Sequence, residues 1–594
     1  MNKKANKMNK VQEDILLFLA NHNNCTQREI SDSLEVSLGL INSNIKELID
    51  DDYINNEYSL TSKAKNLLKK NTPNSAIILA AGFGTRMVPI NLTTPKALLE
   101  IKGEPLIERL IMQLQEVGIY NIYIVVGFMK EKFEYLIDKY KVSLIVNPDY
   151  IEKNNLYSLY LARKHLGDSY IVPADLWCMD NPFRKNELYS WYLLSDELKD
   201  NTGFSYLKNG DISIKNTKKQ HIPLGICYLT LNDGKGVIER LEEYVLNPIH
   251  NNDFWEETLN NKNKFLIKGR LVSHNKYFEI NTYEQLRELD CNSNQLKSDA
   301  IDIIKKTFQV EESDIKKISS LKKGMTNRSF VFEIKNKKYI MRIPGEGTEN
   351  LINREEETEV YSIIKDKDIC DNVLYINPKN GYKITEYIEK SRCCDSNNEN
   401  DLKKSMKFLR SFHNMNLKVN HEFDIYKLIN FYEKLWNKKT SDYGDYKETK
   451  EKVFSLQDYI KKNVKNKCLT HIDAVPDNFL LYTDEKGKEK VRLIDFEYSG
   501  MQDPHVDIAM FCIYSLYNRK QIDHLIDIYF ENKCTIKNRI KIYCYIAACG
   551  LLWSNWCEYK KMLGVEFGEY SLAQYRYAKE YYKIAKELME DVNE

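Results

Sequence analysis

Apolar residues recur every three to four positions through "VQEDILLFLANH", which predicts a helix from about residue 11. In "CTQREISDSL", Thr26 and Glu29 stand at capping-box spacing and open a second helix. "SLGLINSNIKELIDDDY" carries the same period into a third, and "INNEYSLTSKAKNLL" reads as a short strand pair with a closing helix. "NTPNS" has linker composition. From Ala76 to about Leu289, continuous apolar runs alternate with amphipathic stretches: strand "AIILAAG", helix "PLIERLIMQLQEVG", strand "NIYIVVGF", helix "KEKFEYLIDKY", strand "VSLIVNP", helix "SLYLARKHL" and strand "SYIVPAD". That order predicts a parallel sheet with helices on both faces. From about Asp302 the pattern changes again. "SFVFEIKNKKYIMRIPG" reads as an antiparallel hairpin around "KNKK", followed by the helix "NREEETEVYSIIK", long helices, and a strand–loop–strand at 468–498. This is a small β-rich lobe followed by a large helical one.

The chain is therefore multidomain, mixing α/β and α+β blocks, with expected boundaries at 1–72, 75–292 and 301–594. Its 594 residues exceed what one core supports. Lys+Arg number 87 against 86 Asp+Glu, a net charge of +1, which argues against a general nucleic-acid or membrane-surface coat. The 13 cysteines show no zinc-ligand spacing, so reduced thiols in a cytoplasmic protein are expected. "MNKKANKMNK" has no apolar stretch behind it, and "CYIAACGLLW" is far short of a membrane span. No secretory signal and no membrane segment are expected. Nothing in the pattern speaks to oligomeric state.

The first chemical motif ends the strand "AIILAAG". Its glycines let backbone amides approach a phosphate, and Arg86 and Lys96 add fixed cations. The series Leu79-Ala80-Ala81-Gly82-x-Gly84-Thr85-Arg86-Met87, with Thr94-Pro95-Lys96 after it, resembles the signature loop of the nucleotidyltransferases that join nucleoside triphosphates to phosphorylated small molecules. The resemblance implies a Rossmann-like domain. It makes residues 79–82, Gly84 and Thr85 the nucleotide loop, and Lys96 and Arg86 the catalytic cations. It also places a Mg²⁺-binding aspartate at Asp175, the end of "SYIVPAD". The family's second metal carboxylate lies in E-I-D, but here the text is Glu279-Ile280-Asn281, so a charge is lost at 281 and Glu279 is the alternative ligand. Over about 76–289 the text is most similar to bacterial CTP:phosphocholine cytidylyltransferases. A trimethylammonium group offers no hydrogen-bond donor and takes aromatic faces; Tyr157, Trp177 and Trp255 are the candidates.

The second motif is "LTHIDAVPDNFLL", with His471-x-Asp473-x-x-x-x-Asn478 at the spacing of a kinase catalytic loop. Asp473 suits a proton acceptor, and Asn478 a metal ligand. "VRLIDFEYSG" then places Asp495 at a strand end, where kinases hold the second ligand to that metal. Arg342 stands at the usual place of the strand lysine, and Glu357 is the preferred acidic partner over Glu355. "RIPGEGTENLINRE" and "LIDFEYSGMQDPHVDIAMF", with no "APE" after Asp495, resemble choline/ethanolamine kinases and imply a bilobal protein-kinase-like fold. Trp553 and Trp556, three apart on one helix face, are candidates for the choline cage. Glu497 or Asp507 would balance the cation.

The two resemblances imply consecutive reactions: choline and ATP give phosphocholine, which with CTP gives CDP-choline and pyrophosphate. In bacteria such enzymes serve phosphocholine decoration of surface polysaccharide. The first block resembles a winged helix-turn-helix module, which raises a rival reading, a DNA-binding regulator whose enzyme-like domains act as sensors. Residues 1–70 carry as many acidic as basic residues, and Lys46 faces Glu47, Asp50, Asp51 and Asp52. Because duplex binding leans on phosphate neutralisation, DNA is the disfavoured partner and docking or dimerisation the favoured role. A third reading keeps the enzyme and changes the alcohol to ethanolamine or another amino alcohol.

Overall fold

The structure, a computed structural model, describes all residues except 1–7, 23, 83, 85–86, 91–93, 208, 215–217, 262–263, 322–326, 346–350, 437–439, 564, 566 and 594. The chain forms two compact units, Met1–Asp302 with Ile318–Ser320, and Ile303–Lys317 with Leu321–Glu594.

The first unit opens with helices Lys10–Asn21, Gln27–Leu34 and Leu38–Asp50, a one-bridge wing at Ile54 and Leu60, and the helix Ser62–Lys70. The capping box is formed: the Thr26 amide donates to Glu29 Oε2 at 2.8 Å, and the Glu29 amide to Thr26 Oγ1 at 3.3 Å. Ile15, Leu16, Ile30, Ile41, Ile45 and Leu48 make a separate small core, which Leu188 joins from the sheet domain. Tyr189 donates its hydroxyl to Asp14 at 2.6 Å, and Asn186 donates to the Leu68 carbonyl at 2.8 Å. The winged helix is thus seated on the segment 186–189.

The sheet of this unit has ten strands, and its topology corrects the all-parallel expectation. Strands Ser143–Val146, Ile122–Val126, Ser75–Ala80 and Ser169–Pro173 are parallel neighbours. Gln220–Leu229 then pairs antiparallel to Ser169–Pro173 and to Trp191–Lys199, which in turn runs parallel to Lys264–Val272. The alternation of strand and helix that signals crossovers stops at Pro173, and the later strands are joined without a helix between each pair. Two cores cover the two faces. Ile107, Leu110, Ile111 and Leu114 of the helix Leu106–Glu116 lie on one, and Leu156, Leu159, Val237 and Leu241 on the other. "KEKFEYLIDKY" is a 3-10 turn, Lys130–Phe133, followed by the helix Tyr135–Tyr140, rather than one helix.

In the second unit Asn327–Ile334, Lys337–Pro344, Lys383–Glu386 and Val373–Ile376 pair antiparallel in that order. The hairpin turns on Lys335 and Asn336, both at positive φ, which fits a tight two-residue connection. The helix Arg354–Ile364 follows. The helical lobe centres on Ile536–Met562, 27 residues and buried on nearly every side. It packs against Glu569–Asn593 so closely that a Cβ at Gly550 would stand 2.7 Å from the Gln574 carbonyl oxygen. Among the described residues, no helix is long and apolar enough to cross a membrane.

Candidate active sites

In the first unit the strand Ser75–Ala80 delivers the chain into the glycine loop, and the 3-10 turn Lys96–Leu98 returns beneath it. Gly84 holds φ +65°, and a Cβ there would press on Lys96 Cβ at 3.3 Å, so this glycine is needed for the loop to lie on the lysine. Gly82 is exposed, with nothing within 4 Å of a would-be Cβ. Its lack of a side chain serves no packing and leaves an open approach to the backbone. Leu79, Ala80 and Ala81 lead into the turn; Thr85 and Arg86 lie outside the described residues.

Lys96 is where the predicted residues meet. Its ammonium donates to Asp175 Oδ2 at 2.5 Å and to Asn281 Oδ1 at 2.6 Å. Residue 281 reaches that point because the short strand Tyr277–Glu279 pairs with Leu176–Cys178, and the Ile280 amide donates to the Asp175 carbonyl. The oxygens that converge on the ammonium are those of Asp175 and Asn281, and Glu279 sits two residues earlier. Glu279 instead adds negative potential at Glu256, whose carboxyl burial pushes up to about 7. Tyr192 donates its hydroxyl to Glu256 Oε1 at 3.0 Å, while Glu256 Oε2 is buried without a partner among the described residues.

The aromatic candidates divide. Trp177 carries the Arg109 guanidinium 4.4 Å from its ring centre, and Tyr157 carries the Lys153 ammonium at 3.9 Å. Trp255, 1 % exposed, belongs to the core with Tyr192 and Phe265. Arg109 is itself fixed by the Cys178 carbonyl at 2.6 Å and by Glu104 at 2.8 Å. No sequence motif marks Tyr192 or Glu256. Tyr192 looks like any strand tyrosine, whereas Glu256 follows Trp255 directly and its neighbourhood was the available signal.

In the second unit one cavity of 370 Å³ is lined by Arg342, Asp473, Asn478 and Asp495 together with Tyr498, Tyr514, Trp553, Trp556 and Tyr570. The kinase-like loop and the tryptophan pair of the long helix therefore share one space. Trp553 and Trp556 stand 5.5 Å apart, edge to face, and Tyr498 meets Trp553 in the same way at 5.5 Å. Asn478 Nδ2 donates to the Asp473 carboxylate at 3.1 Å and to its carbonyl at 2.9 Å, so its amide nitrogen is engaged and its oxygen is the atom suited to a cation. Burial, with Asp495 and Glu497 nearby, pushes the Asp473 carboxyl up to about 8.

Asp507 holds the loop from behind. Fully buried, it accepts from the His471 and Ile472 amides at 3.0 and 2.7 Å and faces His413 Nε2 at 2.8 Å. That corrects its expected part in balancing a cation: its contacts are with the two loop amides and His413, and it does not line the cavity. Arg342 donates both guanidinium arms to Glu357, at 2.5 and 2.9 Å, and a third bond to the Gly381 carbonyl. Arg342 and the other cations hold the Glu357 carboxyl down at about 2 against the effect of burial. Arg354 adds bonds to Glu357 at 2.8 Å and Glu497 at 3.3 Å. A larger cleft, 960 Å³, holds none of Asp473, Asn478 and Asp495 and has only Asp371 in common with the lining of this cavity.

Among the described residues no three His, Cys, Asp or Glu side chains gather around a common point. One carboxylate and one amide oxygen per site is nevertheless what Mg²⁺ takes when phosphate oxygens and water complete its shell. Asp495 Oδ1, buried and without a hydrogen-bond partner among the described residues, with the Arg342 guanidinium at 3.6 Å, fits such an ion.

Three family models match the chain: "Winged helix-turn-helix DNA-binding" over residues 8–55, "MobA-like NTP transferase domain" over 76–190 and "Choline/ethanolamine kinase" over 318–549. The chain is 34% identical over 221 residues to the choline-phosphate cytidylyltransferase of Streptococcus pneumoniae, covering 36% of this chain and 96% of that protein. It is 35% identical over 196 residues to a 2-aminoethylphosphonate cytidylyltransferase of Lancefieldella rimae, covering 32% and 79%. Over 278 residues it is 28% identical to Protein LicA of Haemophilus influenzae, covering 44% and 100%.

Proposed function

Because the chain belongs to the choline-phosphate cytidylyltransferase family and its residues 318–549 match the choline/ethanolamine kinase model, we propose that it phosphorylates choline with ATP and converts the product with CTP to CDP-choline and pyrophosphate. The observation that carries this reading is the shared cavity of Asp473, Asn478 and Asp495 with five aromatic side chains. Aromatic faces suit a trimethylammonium group, and a carboxylate beside them suits its hydroxyl.

In the first reaction the choline oxygen attacks the γ-phosphorus of ATP, its proton passes to Asp473, and ADP leaves. Asn478 keeps the Asp473 carboxylate oriented. Arg342, fixed by Glu357, supplies the nucleotide phosphates with a cation that need not reorganise. In the second, a phosphocholine oxygen attacks the α-phosphorus of CTP and pyrophosphate departs. Both partners are anions, so Lys96 at the base of the glycine loop, with Arg86 of the same sequence motif ten residues before it, lowers their repulsion. Bound Mg²⁺, held by Asn478 and Asp495 in one site and by Asp175 with Asn281 or Glu279 in the other, would supply further positive charge toward the phosphates. Glu256, which accepts from Tyr192 and whose carboxyl feels the charge of Glu279, is an acidic group for the ammonium end to be balanced by. Tyr157 and Trp177, already covered by Lys153 and Arg109, have to shed those cations to serve it.

The 2-aminoethylphosphonate relative points to a primary amine instead. A kinase-family unit on the same chain makes a phosphate ester, not a phosphonate, which favours a phosphorylated amino alcohol, and the aromatic lining of the cavity favours choline among these. The winged helix is read as a docking or dimerisation module, and the product as the donor for phosphocholine decoration of a surface polysaccharide. The test is phosphorus NMR on the protein with Mg²⁺, ATP and CTP, with choline or ethanolamine added in turn. CDP-choline and pyrophosphate rising together is the expected result. Turnover of ethanolamine alone would change the substrate, and turnover of neither would refute the reading.

A further inference from the structure

Lys383 is a lysine that the sequence pattern hides, lying in the strand Lys383–Glu386 directly opposite Arg342 in the register. It is 6 % exposed and lines the cavity of Asp473 and Asp495. Its ammonium donates to the Tyr361 hydroxyl at 2.5 Å, lies 4.3 Å from that ring's centre, and stands 3.9 Å from Glu357 Oε1. The same Tyr361 oxygen accepts the Phe496 amide at 3.3 Å, and the two rings meet edge to face. Phe496 is the residue after Asp495.

Asp495 has φ +69°, a left-handed backbone that a non-glycine residue keeps only when its surroundings enforce it. The peptides on both sides are held. The Ile494 amide donates to the Asn478 carbonyl at 3.0 Å, and the Ile494 carbonyl is bonded by His471 Nε2 at 2.9 Å. On the far side the Phe496 amide has Tyr361. A phenol oxygen has two lone pairs; here one takes Lys383 and the other Phe496. Remove the ammonium, and the hydroxyl is free to turn to another buried partner.

We propose that Lys383, acting through Tyr361, is a positioning residue for the phosphotransfer site: it aims the Tyr361 oxygen at the Phe496 amide and so keeps Asp495 in its left-handed, cavity-facing conformation. This rests on the phosphotransfer reading of the second unit.

The test is Mn²⁺ binding to the full chain in the presence of a non-hydrolysable ATP analogue, followed by electron paramagnetic resonance of the free ion. The Asp495→Asn variant defines the population belonging to this site; if it removes none, the phosphotransfer reading falls and the proposal with it. Tyr361→Phe, which keeps the buried ring, and Lys383→Met should each weaken that population about tenfold, the size expected when a partner of a metal ligand is lost. The double variant should bind no worse than Tyr361→Phe alone, because the two act in series. Phosphotransfer by both should recover as Mg²⁺ is raised. Unchanged Mn²⁺ affinity in Tyr361→Phe, whatever its melting temperature, or losses that multiply in the double variant, would overturn the proposal. If Lys383→Met does not fold, Tyr361→Phe decides alone.

Discussion

Gly82 and Gly84 show how far a single residue can be read. Both belong to a motif that announces a phosphate loop, and the motif treats them alike. The structure separates them: Gly84 needs its positive φ and its closeness to Lys96, whereas Gly82 faces open space. Gly84→Ala should therefore cost about 1–2 kcal/mol in unfolding stability as well as cytidylyl transfer. Gly82→Ala should melt like the parent protein yet raise the KM for CTP roughly tenfold, the cost of about 1.4 kcal/mol from a methyl group in the approach path. Steady-state kinetics and thermal melts on the two variants check this; equal melting losses would mean that position 82 is structural after all. Asp473 and Asn478 stand out in the sequence because a catalytic loop constrains their spacing, and Lys96 and Asp175 through the family resemblance; the structure brings the first two with Asp495 to one cavity and joins the other two by a hydrogen bond. Lys383, Tyr361, Tyr192 and Glu256 do not stand out, since each gains its meaning from a neighbour more than twenty residues away or from burial that no local pattern encodes.

At the scale of elements, periodicity located most helices and strands of the first two hundred residues, and it failed where pairing is long-range. The parallel half of the sheet follows from strand–helix alternation. The antiparallel half joins strands such as Ser169–Pro173 and Gln220–Leu229, whose partnership no turn signal marks. In the second unit the helix Ile536–Met562 is buried on nearly every side and offers no amphipathic face, yet the i, i+3 pair Trp553 and Trp556 marks the stretch that lines the cavity. Its position depends on Gly550 against the helix Glu569–Asn593. Gly550→Val should force the two helices apart, cost about 1–3 kcal/mol as overpacking does, and raise the KM for choline by moving Trp553 and Trp556. Urea unfolding and choline kinetics measure both; a lowered stability with unchanged choline KM would detach those tryptophans from substrate.

Across the whole molecule, three resemblances were readable as three blocks, while the chain packs as two compact units, the winged helix sharing the first with the nucleotidyltransferase sheet. The contacts of Tyr189 with Asp14 and Asn186 with Leu68 are of the kind that composition cannot forecast. Each unit contains a full set of candidate catalytic groups from its own residues, so the account's central claim is two separable reactions joined by a shared intermediate. The most direct measurement is phosphorus NMR of two single-site variants, each supplied with Mg²⁺, ATP and CTP. Asp473→Ala should give no phosphocholine from choline but normal CDP-choline from added phosphocholine. Lys96→Ala should convert choline to phosphocholine and stop there. Loss of both reactions from either substitution in a folded protein would contradict the account.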